Sequence, residues 1–322
     1  MSIRVTPGPL MTLSAIGAAM MIACAGTTEH EATPLSNKTA TQYSANASVI
    51  AADASGALDA TLATAMQLVA ATSSASKVGR KQAPAAIKQG LHCAGGGQAK
   101  MSISGADSAQ ELNSRLDTGE VYQIAFVDCR AGAGWAVLNG GVTMTVVSVA
   151  DGVTAVNLST TTLMAAVPRG TLSLIGSAGV QRSVAVNGTG SSVTTRITAS
   201  GLSIGTDFSG HTANFTLSDV DLTRQANLAA GVLLSATYRG AHSLSGTIGG
   251  QAFDFGVATQ AGAAFNAMGA PTQGTWVLTL PRQIVTIGVE NATATIDIDE
   301  GKDGSVERSF AVPIALLTAG AG

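Results

Sequence analysis

The chain has 322 residues, a formal net charge of −3 and 11% charged residues, against about a quarter in typical soluble domains. Hydrophobic residues make up 46%, enough to fill a core, whereas aromatic residues make up only 4%. The 17 basic residues are scattered, which argues against nucleic acid as a partner and against electrostatic binding to anionic lipid headgroups. Low charge with abundant Gly, Ser, Thr and Val favours an exported, β-rich protein.

The N-terminus carries an apolar run, LMTLSAIGAAMMIA, over residues 10–23. It is shorter than the roughly 20 residues that span a bilayer, and suits the hydrophobic region of a signal peptide. Met21, Ile22, Ala23 and Cys24 close the run and resemble the lipobox of bacterial lipoproteins, with Met21 at the usual Leu position. The resemblance implies cleavage before Cys24, acylation of Cys24 and sorting to the outer membrane. An ordinary secretory signal and a buried core cysteine remain as alternatives.

Residues 25–48 show no apolar periodicity, which predicts a flexible tether behind the anchor. Apolar residues then recur at helical spacing, at Leu58, Leu62, Met66 and Val69. This spacing predicts an alanine-rich helix over about residues 50–72, with one apolar stripe packed on the following domain. A second short helix is expected over residues 82–90.

Three cysteines are an odd number for an exported protein. If Cys24 carries lipid, Cys93 and Cys129 remain, and an oxidising periplasm would join them. No two cysteines are close enough for a C-x-x-C redox or zinc motif. We therefore expect a structural disulfide between Cys93 and Cys129.

From about residue 98 onward, short alternating runs are separated by turn signals. This pattern predicts a mainly β fold, an antiparallel meander forming a curved sheet or open barrel, preceded by a short helical segment. One face would bury Val, Leu, Ile and Met, and the Ser/Thr-rich face would meet water. Hairpin turns are predicted at Asn139-Gly140, Asp151-Gly152, Asn187-Gly188, Arg239-Gly240, Gly249-Gly250 and Asp303-Gly304.

The predicted organisation is a signal peptide (1–23), a lipid-anchored tether (24–48), a helical segment (49–90) and a β-rich domain (91–322). The strings "CAGGGQAKMSIS", "GEVYQIAFVDC", "LNGGVTM" and "ATIDIDEGKDGSVERSF" together resemble a group of uncharacterised β-rich lipoproteins of Gram-negative bacteria. The resemblance covers about residues 90–313. It implies a fold and an envelope location, and no chemical activity.

Two motifs suggest chemistry. "GLSIG" fits the G-x-S-x-G pattern of hydrolases, with Ser203 as nucleophile, His211 or His242 as base, and Asp219 or Asp254 as the orienting carboxylate. That pattern requires a sharp strand-to-helix turn, and the residues that follow favour a hairpin and a strand instead. We therefore expect no catalytic residues.

The second motif, "DIDEGKDGSVE", suggests a calcium loop. Counted from Asp299, Asp303 and Gly304 match positions 5 and 6 of an EF-hand, but Gly301 and Phe310 fall at positions 3 and 12. A tight turn at Asp303-Gly304 is expected, with weak calcium binding as the alternative.

The sequence thus predicts a membrane-tethered envelope lipoprotein with a non-enzymatic binding or structural role, no cofactor and no metal. Its expected partners are the outer membrane, through the lipid on Cys24, and a hydrophobic ligand or an envelope protein. A surface-exposed adhesion or interaction protein is the alternative, and an envelope hydrolase the distant one.

Overall fold

The computed structural model describes residues 34–72, 87–104, 114–188, 190–208, 210–248 and 250–318. The predicted signal peptide and Cys24 lie outside the described residues. The elements are α1 (Asn37–Ala71), β1 (Ile87–His92), β2 (Gln98–Ser104), β3 (Val121–Cys129), β4 (Val137–Ala150), β5 (Val153–Val167), β6 (Gly170–Asn187), β7 (Gly190–Phe208), β8 (His211–Ala229), β9 (Val232–Ile248), β10 (Gln251–Asn266), β11 (Pro271–Thr279), β12 (Ile284–Glu290), β13 (Thr293–Asp299), β14 (Arg308–Pro313) and α2 (Ile314–Thr318).

All strands of the described residues belong to one 14-stranded sheet in which each strand pairs antiparallel with its neighbours in sequence. The longest pair, β7 and β8, stays in register from Gly190↔Ala229 to Phe208↔His211. Side chains alternate between a buried face and an exposed face, as on β7, where Thr195 and Ile197 are buried and Arg196 is exposed. The predicted meander preceded by a helix is confirmed.

Helix α1 is buried on every side rather than along one stripe. From Ser44 to Ala65 every residue is buried except Gly56, which is half-buried. Alanines let the sheet approach closely, and two buried threonines bond within the helix: Thr61 donates to the Ala57 carbonyl at 2.8 Å and Thr64 to the Ala60 carbonyl at 2.7 Å. The predicted one-sided stripe was therefore wrong, because the sheet surrounds the helix.

The sheet curves around α1 and distant connections meet across it. The helix touches β1, β5 to β9 and β11 to β13. The β3–β4 connection reaches the β8–β9 turn, where Trp135 Nε1 donates to the Gly231 carbonyl at 3.3 Å. The β5–β6 turn reaches the β10–β11 turn, where Arg169 donates to the Gly269 carbonyl. Within the described residues, this curvature encloses the helix as the core of the sheet.

Two predicted boundaries need correction. Helix α1 begins at Asn37, capped by the Ser36 side chain, which accepts from the Thr39 amide at 3.1 Å. Residues 37–48, expected in the tether, are its first turns, because burial rather than a stripe holds them: Tyr43 lies about 5 Å from the rings of Phe253 and Phe255. At the other end, residues 87–90 belong to strand β1 rather than to a second helix.

Neither described helix is both long and apolar enough to cross a bilayer. The expected disulfide is present: Cys93 and Cys129 are bonded, with Cα atoms 5.5 Å apart. It fixes the β1–β2 turn to the end of β3, beside a hydrogen bond from the Gly95 amide to the Arg130 carbonyl at 2.9 Å.

The predicted turns divide into three groups. Asp151-Gly152 and Asn187-Gly188 do connect strands, and Asp151 and Gly152 have the positive φ angles of a tight hairpin turn. Gly249 of the predicted Gly249-Gly250 turn lies outside the described residues. Asn139-Gly140 and Arg239-Gly240 lie inside β4 and β9, where the sheet is irregular. A Cβ atom on Gly140 or Gly240 would collide with a carbonyl oxygen of the neighbouring strand. Asp303-Gly304 lies in the eight-residue connection between β13 and β14.

The helix and the sheet are joined by what we call the ionic core: Asp53 and Asp59 of α1 with Arg169, Arg182 and Arg224 of the sheet. Asp59 accepts from Arg182 Nε at 3.1 Å and is also paired with Arg224 Nη1. Asp53 accepts from Arg169 Nε at 2.9 Å. Burial raises the pKa of Asp53, and the Arg169 guanidinium offsets this only in part.

Further groups complete the Asp59 site. Thr195 donates to Asp59 Oδ1 at 2.8 Å. Arg224 Nε donates to the Tyr238 hydroxyl at 2.9 Å, and its guanidinium lies 5.8 Å from the ring centroids of Trp135 and Tyr238. The carboxylate of Asp59 is thus fully engaged and entirely buried, which fixes the register of α1 within the sheet.

Ser44, Asn46 and His242 are among the buried side chains that have no hydrogen-bond partner among the described residues. His242 on β9 is 6% exposed, and neither Nδ1 nor Nε2 has a hydrogen-bond partner among the described residues. Burial lowers the pKa of His242 to about 4. The imidazole is therefore neutral in the folded protein at physiological pH.

We expect Asp59→Asn to lower the free energy of unfolding by roughly 3–5 kcal/mol, because it leaves Arg182 and Arg224 buried without their carboxylate. Urea denaturation followed by circular dichroism measures this. Asp221→Asn is the matched control, since Asp221 pairs with Arg196 on the exposed face and its loss should change stability little. Equal stabilities for the two variants would contradict the role of the ionic core.

We expect His242 to make the fold acid-sensitive. The unfolded chain binds a proton below its ordinary pKa of 6.5, whereas the folded protein does so only near 4. Stability is therefore greatest above pH 6.5 and falls between pH 6.5 and 4, by on the order of 3 kcal/mol. Urea denaturation at about pH 7.5 and 4.5 should show this loss in the wild type and a smaller one in His242→Phe. The control His211→Phe, at an exposed position, should keep the wild-type loss.

Candidate functional site

A groove opens at the C-terminal end of α1, where the helix no longer covers the inner face of the sheet. We call this cavity, of about 460 Å³, the α1 groove. Its volume lies in the range of small-molecule sites. Its lining combines apolar side chains with a polar rim: Met66, Val69, Ala70, Ser114, Arg115, Leu116, Asp117, Thr118, Val149 and Thr154.

Strand register explains why this end of the sheet is apolar but uncovered. Arg182 reaches Asp59 on the inner face, and side chains two and four positions further along β6 share that face. Val184 and Val186 therefore point inward, yet they are 48% and 76% exposed. Exposed apolar side chains on the face that elsewhere packs on α1 mark a place for another apolar group.

The groove is bordered by the ionic core. Thr154, which lines the groove, pairs directly with Arg182 across β5 and β6. Arg182 Nη1 lies 4.0 Å from the Sδ atom of Met66, another lining residue. The rim itself carries one cation and one carboxylate, Arg115 and Asp117. A guanidinium group thus stands behind the apolar wall of the groove.

The hydrolase residues are not brought together. "GLSIG" lies in the interior of β7, hydrogen-bonded to strands on both sides, and so forms no nucleophile turn. The strand expected after it is β8, which pairs antiparallel with β7 from Phe208↔His211. Ser203 is on the exposed face of the sheet, whereas the His242 side chain is buried on the opposite face. Asp219 and Asp254 are also exposed. The sheet therefore separates the predicted nucleophile from the buried histidine.

The acidic connection after β13 gathers Asp299, Asp303 and Glu307, whose nearest carboxylate oxygens lie within 4.8 Å of one another. Asp299 accepts from the amides of Asp303 and Gly304 at 3.2 and 3.0 Å, and Glu307 accepts from the Glu300 amide at 2.7 Å. These bonds within the connection account for its shape. A hydrogen bond from the Ser305 amide lowers the pKa of Asp303.

The exposed face of the sheet carries a shallower cavity of about 230 Å³ across β6 to β9. We call it the outer trough. Its lining is uncharged and rich in hydroxyl groups: Ser173, Ile175, Ser203, Ile204, Gly205, Asn214, Phe215, Thr216, Ser245 and Gly246. Ser203, the predicted nucleophile, is thus one of several hydroxyl groups on a polar surface.

Neither the ionic core nor the α1 groove was predicted from the sequence. A signal for the former was present: α1 carries only three charged residues, Lys38, Asp53 and Asp59. Two carboxylates within an otherwise alanine-rich helix require buried cations as partners. No comparable signal marks the groove, because it depends on where the helix ends relative to β6.

Comparisons with protein-family models, with curated proteins and with solved structures found no match to this chain.

Proposed function

We propose that this protein is an outer-membrane lipoprotein of the bacterial envelope, anchored through Cys24, whose folded domain binds a hydrophobic ligand in the α1 groove. The role is non-enzymatic. The observation that carries the binding proposal is the α1 groove itself, a cavity of about 460 Å³ whose lining includes Met66, Leu116 and Val149. The anchor rests on the lipobox-like sequence that ends at Cys24.

The architecture limits where a ligand can enter. Helix α1 fills the inside of the curved sheet from Ser44 to Ala65, so the long apolar channel that a curved sheet could offer is already occupied by the chain itself. The proposed ligand therefore binds at the end of the helix, beside Met66. A ligand there would bury apolar surface at roughly 25 cal/mol per Å².

The outer trough favours a second candidate, a surface-exposed adhesion or interaction protein. Its uncharged hydroxyl and amide groups suit a polar partner. Protease shaving of intact cells separates the two, since digestion of the folded domain would indicate that it faces the outside of the cell.

We expect Cys24→Ser to release the protein from membranes, because two or more acyl chains are needed for stable anchoring and the variant has no site for them. Fractionation followed by mass spectrometry of the mature N-terminus measures this. Cys93→Ser with Cys129→Ser is the matched control and should remain membrane-bound. Wild-type membrane attachment in Cys24→Ser would overturn the proposed anchor.

We expect the soluble Cys24→Ser domain to bind a neutral apolar fluorophore, and Val149→Glu to weaken that binding about tenfold, because a carboxylate is unfavourable among the apolar lining of the groove. Fluorescence titration measures the Kd. Val153→Glu is the control, since its neighbour Thr154 lines the groove and Val153 points to the other face of the same hairpin. Equal weakening by both variants, or no binding by the wild type, would contradict the proposal.

A further inference from the structure

Two side chains in the lining of the α1 groove carry hydroxyl groups that the described residues leave without a hydrogen bond. Ser114 lines the groove, and its Oγ atom is buried with no hydrogen-bond partner among the described residues. Thr154, another lining residue, is only 7% exposed, and its hydroxyl group makes no hydrogen bond to any other described residue. A buried hydroxyl group is stable only when it is hydrogen-bonded, so both groups favour a ligand that can bond to them.

The two hydroxyl groups belong to different walls of the groove. Thr154 lies on β5 and pairs directly with Val149 of β4, which also lines the cavity. Ser114 lies on the segment before β3, and this segment is fixed to β4 by a hydrogen bond from the Gly119 amide to the Val146 carbonyl at 2.9 Å. The third wall is the apolar end of α1: Met66, Val69 and Ala70. An apolar wall that faces two hydroxyl groups suits a molecule with an apolar part and a polar part.

The lining of the groove carries no net charge. Its charged residues are Arg115 and Asp117, one of each sign, and both take part in interactions of their own. Behind the lining, Arg182 is paired with Asp59, and the buried Glu120 carboxylate accepts from the Asp117 amide at 2.7 Å. A charged headgroup would therefore enter a groove without an excess of opposite charge, and burying such a charge is costly. The groove favours an uncharged ligand.

We propose that the α1 groove takes an uncharged single-chain amphiphile with a hydroxyl-bearing head. The alkyl chain packs against Met66, Leu116 and Val149, and the head bonds to the hydroxyl groups of Ser114 and Thr154. This proposal rests on the binding role proposed above and names its ligand class. A hydroxyl head suits these two side chains because each hydroxyl group can both donate and accept a hydrogen bond. A fatty alcohol and a monoacylglycerol are the two sources of this chemistry.

The first test compares headgroups on one chain length. We expect the Cys24→Ser protein to bind decanol at least about tenfold more tightly than decanoate or decyltrimethylammonium, because each ion must leave water without gaining a counter-charge. Monodecanoylglycerol, measured alongside, identifies the source: the tighter of the two uncharged amphiphiles carries the preferred head. Displacement of the neutral apolar fluorophore gives each Kd.

Removing one hydroxyl group isolates the hydrogen bond. Thr154→Val keeps the branched shape of the side chain and should weaken decanol binding by about threefold to tenfold, the loss expected for one neutral hydrogen bond. The affinity for a fluorophore without a hydroxyl group should not fall. Thr161→Val, at an exposed position of the same strand, is the matched control and should change neither affinity. Ser114→Ala tests the second hydroxyl group in the same way, and decides the question where Thr154→Val fails to fold.

The outcomes are distinct. Binding of either ion as tightly as decanol would overturn the uncharged head while leaving the apolar groove in place. Unchanged decanol affinity in both Thr154→Val and Ser114→Ala would overturn the hydroxyl contacts. A parallel loss of fluorophore binding in these variants would overturn them too, because the change would then lie in the apolar lining. Failure of the folded wild-type groove to bind either the fluorophore or decanol would overturn the proposed binding function itself.

Discussion

The carboxylate of Asp59 is the point on which the rest of the structure depends. A long helix with small side chains could slide or rotate inside a curved apolar sheet, because alanine side chains are too small to interdigitate with those of the sheet. Asp59 removes that freedom by meeting Arg182 on β6, Thr195 on β7 and Arg224 on β8 at one level. Directional bonds inside an apolar interface give register at a cost in desolvation.

This arrangement explains why the two faces of the sheet differ in composition. The inner face packs on α1 along most of its length, and Arg182, Thr195 and Arg224 on that face bind the Asp59 carboxylate of the helix. The outer face carries hydroxyl groups and paired surface charges such as Arg196 with Asp221, at 2.9 Å. Within the described residues, the inner face near the end of α1 leaves apolar side chains such as Val149 exposed in the α1 groove.

Some features of the fold could be predicted from the sequence and others could not, depending on whether they are set by local residue patterns or by contacts between distant residues. The meander was predictable, because alternation and turn residues are local. Glycine dipeptides were ambiguous, because a positive φ serves a strand irregularity at Gly140 and Gly240 as well as a hairpin at Gly152. The full burial of α1 was not predictable from a helical stripe, because its alanines and its self-bonded Thr61 and Thr64 resemble an exposed face. The α1 groove could not be predicted from the sequence, because it depends on where α1 ends relative to the strands of the folded sheet.

The connectivity also has a consequence for the order of folding. Every strand pairs with the strand next to it in the chain, so the sheet can grow one hairpin at a time as the polypeptide appears. Helix α1 comes first in the chain, yet its partners Arg169, Arg182 and Arg224 lie 116, 123 and 165 residues from the aspartates they bind. Long-range contacts of this kind form late in folding, because the entropic cost of closing the long loop must be met before the contact stabilises the chain. The aspartates of α1 therefore lack their full set of partners until the chain has been made as far as Arg224 on β8.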